Sequence, residues 1–184
     1  YKNNQILETN RNIDYRYLNK NIDSLVLYKL KEKYENICTE HGFIIPNSIK
    51  LINRKLGKIN TINNVSYVSY IIRYSADIIY PSEGDILDIK VDRVNKMGVL
   101  GYIKIDDNGP LKDLPNKNDF DLSPLIIIVP KEYFTENTRN IDDITSGQTL
   151  NVTIIGCRIK YGNKKIQIIA SDLLIALIFI YIFI

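Results

Sequence analysis

Apolar and polar residues alternate most regularly in the stretch 84–105. Between 87 and 92 every apolar residue is followed by a charged one, as in Leu87-Asp88. A period of two is typical of a β-strand with one buried face. The alternation stops at 95–98 and resumes afterwards. The pattern therefore predicts a β-hairpin whose turn uses a positive φ at Gly98.

The second half of the chain predicts three further strands. A continuous apolar run, Leu125 to Val129, ends at Pro130 and predicts a buried strand of a closed sheet. Two more β-rich segments, 150–159 and 165–170, flank a short turn containing Gly162. Together with the first hairpin these segments make five strands, which is enough for a small barrel.

The first half of the chain has a different periodicity. Its apolar residues recur at spacings of three and four, and this predicts an amphipathic helix at about 23–36. Asn21 or Asp23 can cap the start of this helix. One or two strands are expected within 1–21, and long strands in the Val-, Ile- and Tyr-rich segment 65–80. The breakers that follow residue 80 predict a domain boundary there.

Composition restricts the chemistry. The 184 residues are 45% hydrophobic, which suffices for a core in each half, and the net charge of +3 is only mildly basic. Cys38 and Cys157 lack metal-ligand spacing, and His41 is the single histidine of the sequence. The sequence shows no nucleotide-binding or nucleophile motif. We therefore expect no enzyme activity, no cofactor and no metal.

The predicted hairpin resembles the opening hairpin of the RNA-binding OB barrel named after the largest small-subunit ribosomal protein. The matching residues are Gly84, Asp85, Val91, Val94, Gly98 and Ile103. Met97 and Leu100 stand where general members of that family carry aromatic residues. The segment from Val94 to Gly98 is more similar to one branch, the stalk subunit of multisubunit RNA polymerases. This subunit is the seventh of RNA polymerase II and has a counterpart in the archaeal polymerase.

The first half is similar to the tip domain of the same subunit. Cys38, Thr39, Gly42 and Phe43 match its turn after the helix, and Glu40 replaces a glycine. The resemblance extends over about 18–173. It implies an α+β chain with three parts: a tip domain (1–80) in which a helix packs on a small antiparallel sheet, a five-stranded OB-fold RNA-binding barrel (81–172) and an apolar tail (173–184).

The resemblance also implies a function. A non-catalytic stalk subunit docks beside the clamp of the polymerase core, binds a fourth-subunit-like partner and contacts nascent RNA during transcription and its initiation. The expected location is the nucleus for a cellular eukaryotic protein, and the host cytoplasm or virion for one from a large DNA virus. A free-standing OB-fold regulator of translation or RNA turnover is the alternative. The two differ in whether the first half is needed for docking.

Candidate contact residues follow from this arrangement. Cations of the two barrel hairpins can contact phosphates while nearby rings stack on bases; these residues are Lys90, Arg93, Lys96, Tyr102, Lys104, Tyr133, Arg158, Lys160, Tyr161, Lys164 and Lys165. Residues proposed to dock on a partner are Phe43, Ile44, Ile45, Arg54 and Lys55. The tail is about a dozen residues, shorter than the roughly 20 that span a membrane, and is expected to pack on the tip domain or a partner.

Overall fold

The computed structural model describes residues 2–18, 21–103, 118–134 and 140–172. In chain order its elements are β1 (Lys2–Asp14), α1 (Ile22–Tyr34), β2 (Cys38–Thr39), β3 (Gly42–Ile44), β4 (Lys50–Arg54), β5 (Lys58–Ile62), β6 (Val65–Ile79), β7 (Ile86–Asn95), β8 (Gly98–Tyr102), α2 (Asp119–Leu122), β9 (Leu125–Pro130), β10 (Thr149–Arg158) and β11 (Ile166–Asp172). Single 3-10 turns occupy Tyr15–Tyr17, Lys131–Tyr133 and Ile141–Asp143.

The described residues form two compact units. The helix–sheet unit comprises Lys2–Asn36 and Ile44–Ile79. The barrel unit comprises Ile37–Phe43 and the described residues from Tyr80 onward.

Strand β6 is central to the helix–sheet unit. One edge of β6 pairs antiparallel with β1 from Tyr67 to Ile79. The other edge pairs antiparallel with β5 and then with β4. The even-numbered residues of β6 from Val68 to Ile78 are buried, because β-strand side chains alternate between the two faces. One face of the sheet therefore carries the core.

Helix α1 covers this face. Asn21 occupies its N-cap position, and Val26 and Leu30 are buried among the apolar residues of β1 and β6. At its C-terminal end, Tyr34 stacks on Tyr74 with ring centroids 6.1 Å apart. The predicted helix is thus confirmed, with the bounds Ile22–Tyr34 instead of 23–36, but the Asn21 side chain does not form the predicted capping hydrogen bond.

Five strands close the barrel in the order β10-β11-β9-β8-β7. All neighbouring pairs are antiparallel except β9 and β11, which are parallel. If the barrel strands are numbered 1 to 5 in chain order, their order around the barrel is 1-2-3-5-4-1, and strands 3 and 5 are parallel. A five-stranded Greek-key barrel of this kind is an OB fold. The predicted α+β class, with a helix–sheet part followed by an OB barrel, is confirmed.

The interior of the barrel is filled by alternate residues of each strand. The buried apolar side chains are Leu87, Ile89, Val91, Val99, Leu125, Ile127, Val129, Leu150, Val152, Ile154, Ile166, Ile168 and Ala170. The alternation predicted for β7 is confirmed. The apolar run of β9 differs from its prediction, because Ile128 faces outward with 43% of its surface exposed.

The short hairpin β2–β3 contributes to the barrel unit. The backbone N–H of Cys38 donates to Asn163 O (2.7 Å), and Gly162 N–H donates to Cys38 O (2.9 Å). Thr39 closes the hairpin turn, because its hydroxyl donates to Gly42 O (3.0 Å) and accepts from His41 N–H (3.2 Å). The segment is therefore attached to the β10–β11 turn.

The turn between β7 and β8 requires glycine. Gly98 has a φ of +145°, and a Cβ there would lie 2.2 Å from Val129 O and 2.9 Å from the Cα of Pro130. Gly147 also has a positive φ, +85°, but a Cβ added to it would meet no atom within 4 Å. A side chain at Gly98 would therefore meet both a steric clash and backbone strain, whereas one at Gly147 would meet backbone strain alone.

We expect Gly98→Ala to lower the free energy of unfolding by about 3 kcal/mol, since a backbone clash adds to the strain of the positive φ. Gly147→Ala, which meets only the φ penalty, should cost about 1 kcal/mol. Urea denaturation of both variants measures the difference. Equal losses would contradict the close approach of β9 to Gly98.

Candidate functional site

The outer face of β8, β9 and β11 carries a row of aliphatic side chains. Leu100 is paired with Ile128 across β8 and β9, and Ile128 is paired with Ile169 across β9 and β11. We call Leu100, Ile128 and Ile169 the aliphatic stripe. Arg93 of β7 pairs with Leu100 at one end, and Gly156 of β10 pairs with Ile169 at the other. The centre of this face is therefore apolar and without aromatic rings.

Predicted RNA-binding cations lie at the sides of the stripe. Lys90 is half-buried on β7 opposite Tyr102, while Arg158 is exposed at the end of β10 opposite Gln167. Arg93 is exposed and its Nε donates to Asp92 Oδ2 at 2.9 Å. These cations lie on the two strands that flank β8, β9 and β11 rather than in a single cluster.

The β7–β8 turn presents Lys96 at one end of the barrel. Asn95 Oδ1 accepts hydrogen bonds from the backbone N–H groups of Met97 (2.8 Å) and Gly98 (3.1 Å). This bonding fixes the turn, while the side chains of Lys96 and Met97 are exposed. Met97 is 83% exposed, so the turn presents one cation beside one flexible apolar group.

The β10–β11 turn lies at the opposite end of the barrel, because β7 and β11 run in the same direction and this turn precedes β11. Its predicted RNA-binding residues Lys160, Tyr161 and Lys164 are exposed. Tyr161, at 62% exposure, presents its ring to solvent. Among the candidate RNA residues, those in the two turns thus lie at opposite ends of the barrel, while Lys90, Arg93 and Arg158 lie on the strands beside the aliphatic stripe.

Lys165 is placed differently from its neighbours. Its ammonium donates to Phe120 O at 2.6 Å and lies 4.6 Å above the centre of the Phe120 ring. Burial lowers the pKa of Lys165, although the carboxylates of Asp121 and Asp92 oppose this shift. Tyr102 packs its ring edge-on against the same Phe120, with centroids 6.0 Å apart. Lys165 and Tyr102 therefore hold α2 against the barrel.

Two other predicted RNA-binding residues are less informative. Tyr133 is half-buried in the 3-10 turn after β9. Lys104 lies outside the described residues, as does the apolar tail.

Most of the residues predicted to dock on a partner are buried or bonded to other residues of the chain. Phe43 and Ile44 are buried, at 2% and 0% exposure, and Ile45 is half-buried. Arg54 forms an ion pair with Asp23 and lies 5.1 Å above the Tyr70 ring. Lys55 is exposed, 3.9 Å from Glu8. Of this group, only Lys55 is largely exposed to a partner in this conformation.

Sequence reasoning missed a more exposed apolar group in the same region. Leu56, between β4 and β5, is 94% exposed, and Ile59, in β5, is 79% exposed. Ile52 and Ile62 are about half exposed. Four apolar residues within eleven positions, flanked by Arg54, Lys55 and Lys58, are a signal that the sequence carried. An exposed apolar group of this density is typical of an interaction site.

In the part of the chain that the structure describes, the thiols and carboxylates form no chemical centre. Burial raises the pKa of the Cys38 thiol to about 11. Burial also raises the pKa of Cys157, and the charges of Glu83 and Asp85 add to this effect. Among the described residues, no three His, Cys, Asp or Glu side chains converge as metal ligands. In the same part of the chain, no helix has the length and hydrophobicity needed to cross a membrane.

Comparison with curated proteins reveals similar sequences in plants. The chain is 30% identical over 95 residues to the DNA-directed RNA polymerase II subunit RPB7 of Glycine max, covering 50% of this chain and 52% of that protein. The same values apply to the DNA-directed RNA polymerase II subunit 7 of Arabidopsis thaliana. The similarity supports the predicted resemblance to the seventh subunit of RNA polymerase II. The chain spans about half the length of the curated relatives it matches, and no family model matches it.

We expect the adjacent lysines of the β10–β11 turn to behave differently on substitution. Lys165→Met removes the hydrogen bond to Phe120 O and should lower the free energy of unfolding by about 1 kcal/mol, after allowance for partial exposure. Lys164→Met should leave stability unchanged and reduce the salt slope of RNA binding by about one unit, if the exposed cations contact phosphates. Urea denaturation and fluorescence anisotropy with oligouridine measure the two effects. Identical behaviour of both variants would contradict the separate roles.

Proposed function

We propose that the chain is a non-catalytic stalk subunit of a DNA-directed RNA polymerase. The observation that carries this proposal is the combination of a helix–sheet unit followed by an OB barrel with 95 residues of similarity to the seventh subunit of RNA polymerase II. The subunit would act by position, because a rigid body that binds one clamp state more tightly shifts the population towards that state.

The helix–sheet unit would supply the contact with the polymerase core. Leu56 and Ile59 expose apolar surface whose burial would stabilise a complex. Lys55 lies beside them and adds a positive charge. Ile44 would support docking from within the core of this unit, and Arg54 would do so by fixing the end of β4 on Asp23 and Tyr70. Phe43 is buried in the barrel unit. We call 52–62 the docking segment.

The barrel would contact emerging RNA through the cations at its two ends. Lys96 at one end and Lys160 and Lys164 at the other are exposed, and Tyr161 offers a ring to an unstacked base. A few phosphate contacts of this kind give weak binding that falls steeply with salt. A fourth-subunit-like partner, the core subunits and nascent RNA are the proposed partners, and the nucleus is the proposed location of a eukaryotic member.

Deletion of 1–80 is a poor test of this proposal. It would remove Cys38, whose backbone bonds to Gly162 and Asn163 hold the β10–β11 turn. Loss of function could then reflect damage to the barrel unit. Point substitutions at exposed residues avoid this problem.

We expect the double variant Leu56→Ser/Ile59→Thr to lose polymerase binding. Removing two exposed apolar side chains from an interface should weaken it by roughly tenfold or more, at about 1.4 kcal/mol per factor of ten. Tagged full chain would be purified from its native source at moderate salt, and the recovery of large polymerase subunits and of templated RNA synthesis would be measured.

Met97→Asn is the matched control, because Met97 is 83% exposed but lies in the barrel unit. It should retain polymerase binding. Recovery of RNA or ribosomal proteins without polymerase subunits would overturn the proposal and favour a free-standing RNA-binding regulator. Equal binding by the double variant and the unmodified chain would overturn the role of the docking segment.

A further inference from the structure

The aliphatic stripe leaves much of its apolar surface exposed. Ile128 is 43% exposed and Ile169 is 49% exposed, and Leu100 beside them is half-buried. The residue across from Ile169 on β10 is Gly156, which has no side chain to cover it. Ile155, at the adjoining β-bulge, is 39% exposed. The barrel thus presents a continuous aliphatic row on its outer face.

The dimensions of the row suit a single α-helix. Leu100, Ile128 and Ile169 lie on three adjacent strands. Measured across the strands, at a spacing of about 4.8 Å, the row is about 10 Å wide. A helix with its side chains is roughly 10–12 Å in diameter. Three half-exposed residues supply only a fraction of the roughly 800 Å² per partner that a standard stable interface buries. The stripe therefore suits a small partner such as one helix, bound with modest affinity, rather than the broad surface of a second copy of the chain.

The chemistry of the row favours protein over nucleic acid. Sequence-tolerant RNA binding depends on aromatic rings on which bases stack. The three residues of the stripe are Leu, Ile and Ile. Of the next outward residues, Ile126 of β9 is aliphatic, and Tyr102 of β8 packs edge-on against Phe120. Aliphatic side chains instead complement the apolar face of an amphipathic helix, with anchors at spacings of three and four.

Charge at the two sides specifies the partner further. Arg93, with 64% of its side chain exposed, lies on the β7 side of the stripe; its Nε donates to Asp92 Oδ2, and its two terminal Nη groups are not engaged by that pair. On the β10 side Arg158 is exposed two residues from Gly156. Guanidinium groups form their strongest hydrogen bonds with carboxylates. A helix with acidic residues on both flanks of its apolar face would therefore match this surface.

We propose that the aliphatic stripe binds an amphipathic helix of a protein partner, with the helix carboxylates meeting Arg93 and Arg158. This inference goes beyond the proposed function and does not require the chain to bind polymerase. Binding at the stripe uses residues separate from the docking segment and from the cations at the barrel ends.

The test uses the full chain and a fluorescein-labelled helical peptide of about 18 residues, or five turns, with leucines at helical spacing and glutamates on both flanks. Ile128→Thr/Ile169→Thr should weaken binding by at least roughly tenfold, since hot spots lie at the centre of an interface. Ile6→Thr is the matched control, because Ile6 is 60% exposed on β1, and it should change affinity less than about twofold. Replacing the peptide glutamates with lysines should weaken binding by roughly fivefold or more.

Ile128→Leu/Ile169→Leu should retain binding, which separates loss of the contact from loss of folding. Circular dichroism and urea midpoints of all variants check the fold.

Four results would overturn the proposal. They are absence of peptide binding, displacement of the peptide by oligouridine with an equal loss of RNA affinity in the threonine variant, binding that appears only in a chain ending at Asp172, and a stripe-dependent dimer in sedimentation equilibrium. The last three would assign the stripe to RNA, to the chain's own tail and to a second copy.

Discussion

Closure of the five-stranded barrel is the constraint on which the barrel unit depends. A barrel this small has room for one side chain from every second residue, so the others must face outward. Gly98 permits the closure at one end, because only a residue without a Cβ can approach the Val129 carbonyl so closely. The parallel pairing of β9 with β11 then places Ile128 and Ile169 side by side on the outside. The exposed stripe is a direct consequence of filling the interior.

Sequence patterns predicted those parts of the fold in which polar residues mark the outward face. In β7 charged residues separate Leu87, Ile89 and Val91, so the buried face could be identified from the sequence. The apolar run of β9 contains no such marker. Because Ile126 and Ile128 are as apolar as their inward neighbours, the run predicted a strand buried on both faces. The pairing partners of β9 were needed to show which residues face outward.

The candidate surfaces were less predictable than the fold, because exposure depends on contacts between residues distant in sequence. Phe43 and Ile44 lie between two polar segments, 40–41 and 47–48, yet both are buried. Lys165 differs from Lys164 only by facing α2, a helix that precedes it by more than forty residues. Attachment of Cys38 to the β10–β11 turn is likewise a backbone contact that no local pattern encodes.

The distribution of charge along the barrel separates two kinds of contact. Lys96, Lys160 and Lys164 lie in the turns at its ends, where flexible side chains can neutralise phosphates without fixed geometry. The strands between them present aliphatic groups, whose interaction energy depends on close packing and exclusion of water. RNA that touches only the ends would be held by screened electrostatic attraction, whereas a partner on the strands would be held mainly by burial of apolar surface, so that salt would weaken only its contacts with Arg93 and Arg158. On these two proposals, one barrel would bind a passing RNA strand weakly and a protein segment at the same time.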